Sequence, residues 1–373
     1  MRDDLARLVP YDPDSRDVEV MLSANENPFG VPDDVRAEML ARMASVPVNR
    51  YPDAGCRRLR GLLAEMWGTA PARVAVGNGG DELIFNLLLA FGGAGRAAVV
   101  CPPAFSSYSL SALLTATEVR QVPLDASFAV DEGAVLAAAS RASVVFLTSP
   151  NNPTGGLVRR EFVRSLANAT DALIVVDEAY CEFADPGSSC IPLVEECPNL
   201  CVLKTLSKAY ALAGVRLGYV VSSKAVVDAL LAVRQPYSVS RLDQVAAETA
   251  VEMRASFEPL VRALVEGRAA LSTALTALAD EAEAATGRRP LTVFPSQANF
   301  LLVRFNPEGC GGLTAGEIHE RLATEHSVLV RDFSRTPGLA GCLRLTVGTP
   351  QENARLVAAL RAVVGAPAAK EGE

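Results

Sequence analysis

The stretch NLCVLKTLSKAYALAGVRLGYVVS, residues 199–222, sets two apolar runs, NLCVLKTLS and LGYVVS, on either side of a segment that carries Thr205, Ser207, Lys208 and Arg216. Runs rich in Val, Ile and Leu on both faces are the mark of strands covered on both sides by helices. Upstream the pattern repeats in RVAVGNG, AAVVCPP, SVVFLTSP and ALIVVDEAY, each separated from the next by a longer amphipathic stretch. Residues 72–240 therefore predict an α/β unit on a mostly parallel sheet. Polar residues gather where the runs end: Asn78 and Asp81, Ser149 to Thr154, Asp177 to Tyr180, and Thr205 to Lys208. Ligands of open α/β sheets bind outside the carboxyl ends of the strands, so these four strand ends predict one pocket.

Residues 241–286 read as helical, with no strand signal. Beyond them LTVFPSQANFLLVRF, SVLVRDF and CLRLTVG alternate with helical TAGEIHERLATEH and PQENARLVAALRAVVG, which predicts a smaller α/β lobe on an antiparallel or mixed sheet. A chain of 373 residues, half of them apolar, is long enough for two cores. Its net charge of −8 argues against a nucleic-acid or membrane-surface binder and for small-molecule chemistry. The charged start MRDDLARLVPYDPDSRD has no apolar signal core, and no run nears the length of a membrane span, so a cytoplasmic protein is expected. Eight cysteines without a CxxC pair and only two histidines, His319 and His326, give little material for a metal site, and none is expected.

A lysine desolvated inside a site becomes a nucleophile able to form a Schiff base with an aldehyde. Ser207, Thr205 and Arg216 around Lys208 suit a phosphate, and an aldehyde and a phosphate on one small molecule describe pyridoxal phosphate. A lysine in a surface loop is the other reading of Lys208 alone. Asp177 ends a predicted buried strand, where a carboxylate needs a cationic or hydrogen-bonding partner; a pyridinium nitrogen is one such partner, and a helix N-cap is the alternative use. Tyr180 could reach the ring's phenolic oxygen. In TSPNNPTG, Asn152 could bind that oxygen and a substrate carboxylate, though surface turns share this composition. VGNGGDELI is a glycine-rich entry to a helix, whose free N–H groups suit a phosphate.

These motifs, in this order, resemble the fold-type I pyridoxal-phosphate aminotransferases, and most of all the histidinol-phosphate aminotransferases. The likeness runs through LVPY, LSANENPFG, NRYPD, GNGGDEL, CPPAFSSY, SPNNPTGG, VVDEAYCEF, TLSKAYALAGVRLGY, PYSVS, ANFLLVRF, VLVRDF and CLRLTVGTPQEN. It implies an aspartate aminotransferase-like fold. Residues 1–30 would be an arm packed on the active site and small domain, and 31–240 a large cofactor domain with a seven-stranded sheet between helices. Residues 241–285 would be a connecting helix, and 286–373 a small domain. It implies pyridoxal 5'-phosphate as cofactor, Lys208 as its anchor and the proton shuttle, Asp177 on the ring nitrogen, and Tyr180 and Asn152 on the ring oxygen. Tyr108 would stack on the ring. Gly79, Gly80, Asp81, Thr205, Ser207 and Arg216 would hold the phosphate, with Tyr51 reaching across from the other subunit of a homodimer. Substrate would meet Tyr11, Asn152, Arg331 and Arg344, the two arginines taking its phosphate.

The implied reaction passes the amino group of histidinol phosphate to 2-oxoglutarate. The alternatives are an aromatic amino acid aminotransferase, or a related enzyme of specialised biosynthesis that decarboxylates phosphothreonine or performs cyclisation or replacement. Two positions depart from the family pattern: Gly80, where serine or alanine is common, and Ser238, where asparagine is common.

Overall fold

The computed structural model describes residues 16–365, together with Leu5 and Asp14. Twelve strands run through the described residues: β1 (Val20–Leu22), β2 (Val74–Asn78), β3 (Ala97–Val100), β4 (Glu118–Gln121), β5 (Val144–Thr148), β6 (Leu173–Asp177), β7 (Leu200–Thr205), β8 (Leu217–Ser222), β9 (Leu291–Val293), β10 (Phe300–Phe305), β11 (Val328–Asp332) and β12 (Cys342–Thr346). They form a seven-stranded sheet ordered β2-β8-β7-β6-β5-β3-β4 and a five-stranded sheet ordered β1-β11-β12-β10-β9.

The large sheet is parallel except for β8, which runs antiparallel to both β2 and β7. Every residue of β5, β6, β7 and β8 is buried, as expected of strands with helices on both faces. Alternation along β6 divides the core. Ile174 and Val176 face one apolar cluster and Leu173 and Val175 the other, because successive side chains point to opposite faces of a strand. The edge strand β4, EVRQ, has no buried residue, a polar edge of the kind that discourages pairing with another chain.

The small sheet is mixed. β9, β10, β12 and β11 pair antiparallel, and β1 adds parallel to β11 with Val20 opposite Val328. A strand from near the start of the chain thus completes a sheet built from its last third. The helical stretch expected as one connector is two helices, Arg241–Glu252 and Glu258–Thr286, joined by a 3-10 turn at Arg254–Phe257. Pro259 sits in the first turn of the second helix, where its missing N–H costs nothing, whereas inside a continuous helix it would break a bond and crowd the preceding turn.

Candidate active site

The carboxyl ends of β2, β5, β6 and β7 bring the polar residues together. After β2 the chain turns through Gly79, at φ 78°, into the helix Gly79–Phe91. A side chain at Gly79 would meet the Arg216 guanidinium at 2.9 Å, and one at Gly218 would strike the Gly79 backbone at 2.7 Å. The glycines let the β8 backbone and an arginine close on the helix N-terminus, whose N–H groups and dipole favour an anion. Asp81, in that first turn, accepts from Ser107 Oγ at 2.7 Å and lies 3.5 Å from Arg216 Nη2. Gly80 has room for more: an added Cβ would make only ordinary contact with Leu203, at 3.4 Å, so the departure from serine or alanine there removes atoms without changing the turn. Ser238 donates to Glu82 at 3.2 Å, and its carbonyl accepts from Asn78 at 2.8 Å.

Thr205 ends β7 and donates to Ser207 Oγ at 2.9 Å while accepting from the Ser207 N–H at 3.1 Å. This local loop turns the chain so that Lys208 enters the cleft. Lys208 Nζ donates to the Ala24 carbonyl at 2.9 Å and lies 6.0 Å from the centre of the Tyr180 ring. Loss of solvent, helped by the positive charges of Arg344 and Arg216 and opposed by Glu26 and Asp81, lowers its pKa to about 8. A substantial neutral fraction at physiological pH is what a nucleophilic amine needs.

Asp177 ends β6 and is 5 % exposed. Its carboxylate accepts from the Tyr108 hydroxyl at 2.7 Å and the Ala179 N–H at 3.1 Å, and among the described residues it forms no ion pair. Burial pushes its pKa up to about 6, against the pull of those two hydrogen bonds. A cationic nitrogen is the partner this carboxylate lacks. Tyr108 does not occupy the place expected of it. Its ring is 1 % exposed and stacks on Phe146 with centroids 4.8 Å apart, and its hydroxyl is shared between Thr148 and Asp177. A ring this buried and stacked on Phe146 has no exposed face to lay on a ligand, and its hydroxyl supports Asp177 from behind. Phe105, half-buried and edge-on to Tyr108 at 5.8 Å, is the more accessible aromatic of that loop.

Tyr180 is buried, with its hydroxyl 3.0 Å from Asn25 Nδ2 and 3.4 Å from Asn152 Nδ2. Burial raises its pKa, and Arg344 and the bond from Asn25 work against that rise. Asn152 accepts from Arg344 Nη1 at 2.6 Å, and Arg344 also donates to the Ser23 carbonyl at 2.6 Å. Arg331 on β11 pairs directly with Arg344 on β12 across the small sheet, placing two guanidinium side chains on one face. Tyr51 does not join this group within the chain: it is 76 % exposed and stacks on the exposed Tyr237 at 4.5 Å. Tyr11 lies outside the described residues. Asn25, buried and at φ 54°, is the site residue the sequence reading passed over. Its signal was the motif ANENPFG itself, where an asparagine tolerates a left-handed backbone that most residues avoid.

The donor set fits pyridoxal phosphate part by part: Lys208 would take the aldehyde, the helix N-terminus with Ser207 and Arg216 would hold the phosphate, Asp177 would face the ring nitrogen, and Tyr180 and Asn152 would face the ring oxygen. The family model for aminotransferase class I and II matches residues 18–360. Histidinol-phosphate aminotransferase 1 of Carboxydothermus hydrogenoformans is 40% identical over 354 residues, covering 94% of this chain and 95% of that protein. Among solved structures, histidinol-phosphate aminotransferase from Sinorhizobium meliloti in complex with pyridoxal-5'-phosphate superposes with a TM-score of 0.85 at 27% identity, over 98% of this chain and 97% of the other. L-threonine-O-3-phosphate decarboxylase from Porphyromonas gingivalis shares the fold, at a TM-score of 0.78 and 24% identity, over 93% and 99% of the two chains.

Proposed function

Since the chain belongs to the class I and II aminotransferases and uses pyridoxal 5'-phosphate, we propose that its amino donor is histidinol phosphate and its acceptor 2-oxoglutarate. The observation that carries this reading is the cross-strand pair Arg331 and Arg344. Like charges directly opposite on a sheet repel, and a dianionic phosphate held between two arginine forks turns that cost into binding. Names of relatives at up to 40% identity point the same way.

The cofactor supplies an electron sink for the negative charge that develops at the donor carbon. The residues do the rest. Asp177 would keep the ring nitrogen protonated, and the pair Tyr180 and Asn152 would orient the ring oxygen. Lys208 Nζ would hold the cofactor's aldehyde and, once free, would take the proton from the donor carbon and return it on the same face, a general-base step suited to a pKa of about 8. Arg344 is tied to Asn152, so the group that grips the substrate anion also holds a side chain directed at the ring oxygen.

The second subunit enters through Tyr51. Arg241 fixes its backbone carbonyl at 2.8 Å while the ring projects from the surface, which suits a residue that serves the cofactor phosphate of a homodimer partner. The eight cysteines are all free thiols, in keeping with a cytoplasmic location. Mixing the purified, cofactor-loaded protein with histidinol phosphate should convert its visible absorbance to that of the pyridoxamine form within one turnover. Conversion by phenylalanine alone, or carbon dioxide release from phosphothreonine without conversion, would replace this reading with the aromatic aminotransferase or the decarboxylase.

A further inference from the structure

The Tyr180 hydroxyl is approached by two amides, each of which also bonds a neighbour. Thr346 Oγ1 accepts from the Asn25 N–H at 3.1 Å and in turn donates to Asn25 Oδ1 at 3.1 Å. Its proton goes to Asn25 Oδ1, and in that arrangement Asn25 Nδ2 faces Tyr180. Asn152 Oδ1 accepts from Arg344, an arginine that can only donate, so Asn152 Nδ2 also faces Tyr180. A phenol has one hydrogen and two acceptor positions. With both amides so oriented, the two acceptor positions face N–H donors, and neither amide takes the hydrogen.

We propose that Asn25 is a positioning residue for the reaction: with Asn152 it saturates the acceptor side of Tyr180 and thereby commits the phenolic hydrogen to the cofactor's ring oxygen. Asn25 is held for this task from several sides. Its carbonyl accepts from Asn299 Nδ2 at 3.1 Å on the small-domain side, and its neighbours Ser23 and Ala24 accept from Arg344 and Lys208. The charged groups around Tyr180 are Arg344 from β12, Asp177 from β6, Asp81 from the helix after β2, and Lys208 after β7. Asn25 is neutral, so its removal changes hydrogen bonding without changing net charge.

The test is the pH titration of the bound cofactor's visible absorbance in the holoenzyme, alongside thermal unfolding of the cofactor-free protein. A hydrogen bond donated to the ring oxygen favours its anionic form, so losing it raises the midpoint. Asn25→Gly keeps the left-handed backbone and removes the amide; a rise of about one pH unit is expected, a tenfold change in the equilibrium. Asn25→Asp offers Tyr180 an acceptor that captures its hydrogen, and should raise the midpoint further. Since Asn25 acts through Tyr180, Asn25→Gly in a Tyr180→Phe background should add nothing to the shift of Tyr180→Phe alone. An unchanged midpoint in both Asn25 variants, with or without a lower melting temperature, would overturn the proposal, as would shifts that add fully in the double variant.

Discussion

Lys204 and Lys208 lie four residues apart, one buried and the other half-buried, yet they are opposites. Lys204, 1 % exposed, meets Glu182 Oε1 at 3.0 Å and Glu178 Oε2 at 3.4 Å and lies 4.9 Å from the centre of the Trp67 ring. Burial pulls its pKa down, but Glu182 and Glu178 outweigh that and hold it well above the usual lysine value. Lys208 has no carboxylate in contact among the described residues, and the two arginines near it, Arg344 and Arg216, oppose the two carboxylates, Glu26 and Asp81, so desolvation wins and its pKa falls to about 8. The two surroundings follow from strand alternation. Asp177 belongs to the face of β6 that carries Leu173 and Val175, and Glu178 to the opposite face, where Lys204 of the neighbouring strand answers it. A lysine withdrawn from water is made inert by pairing it with carboxylates and reactive by leaving it without one in contact.

The largest consequence concerns Lys208. Lys208→Ala removes the anchor and the general base together, and single-turnover absorbance with the amino donor should slow by about 10⁴-fold or more. Borohydride reduction of the wild-type holoenzyme should place the cofactor on the peptide containing Lys208 and none on Lys204. Lys204→Met leaves Glu178 and Glu182 facing an apolar side chain, and breaking a buried ion cluster in this way costs about 3 to 5 kcal/mol, read by urea unfolding of the cofactor-free protein. Lys204→Met combined with Glu178→Gln and Glu182→Gln should recover most of that loss, because a glutamine at 178 can accept from the Cys190 N–H through its oxygen and donate to the Ser189 hydroxyl through its nitrogen without a stranded charge. If the triple variant stays as unstable as the single, Lys204 acts by packing on Trp67 and the contrast between the lysines loses its electrostatic basis.

Chemistry that sits at strand ends was legible in the sequence; chemistry that depends on rotation or distant pairing was not. Val-, Ile- and Leu-rich runs ending in Asp177 and Thr205 announce both the parallel sheet and the positions facing its carboxyl edge. Tyr108 lies in the helix Ser107–Leu114, and whether it faces a ligand or the sheet depends on a helix rotation that its loop motif does not encode. Lys204 read as one more residue of an apolar run because its partners come from another strand end. Asn25 meets residues of the last strand and of the loop after β6, contacts across most of the chain that no local window contains. The break at Pro259 was visible and could have divided the long helical stretch in advance.

The contrast also predicts opposite pH signatures in folding. Lys208 has a folded pKa of about 8 against 10.5 in an exposed lysine, so between those values the unfolded chain binds more protons and stability from this group rises with pH. Lys204, with its folded pKa raised, contributes stability that is complete below the unfolded value and lost as pH climbs through the folded one. Lys208→Met should therefore stabilise the cofactor-free protein at pH 7, with the advantage fading from about pH 8 upward, whereas Lys204→Met should destabilise across that whole range.

The smallest expected effect isolates one charge. An amine-selective acylating reagent should modify Lys208 of the cofactor-free protein with a midpoint near pH 8, read by peptide mass spectrometry, and leave Lys204 untouched. Arg344→Gln removes the charge that contributes most, after desolvation, to lowering the Lys208 pKa, so the midpoint should move up while the sheet that carries both arginines stays paired. A downward move, or none, would mean that loss of solvent alone makes this amine reactive, and that the arginine is placed for the substrate anion only.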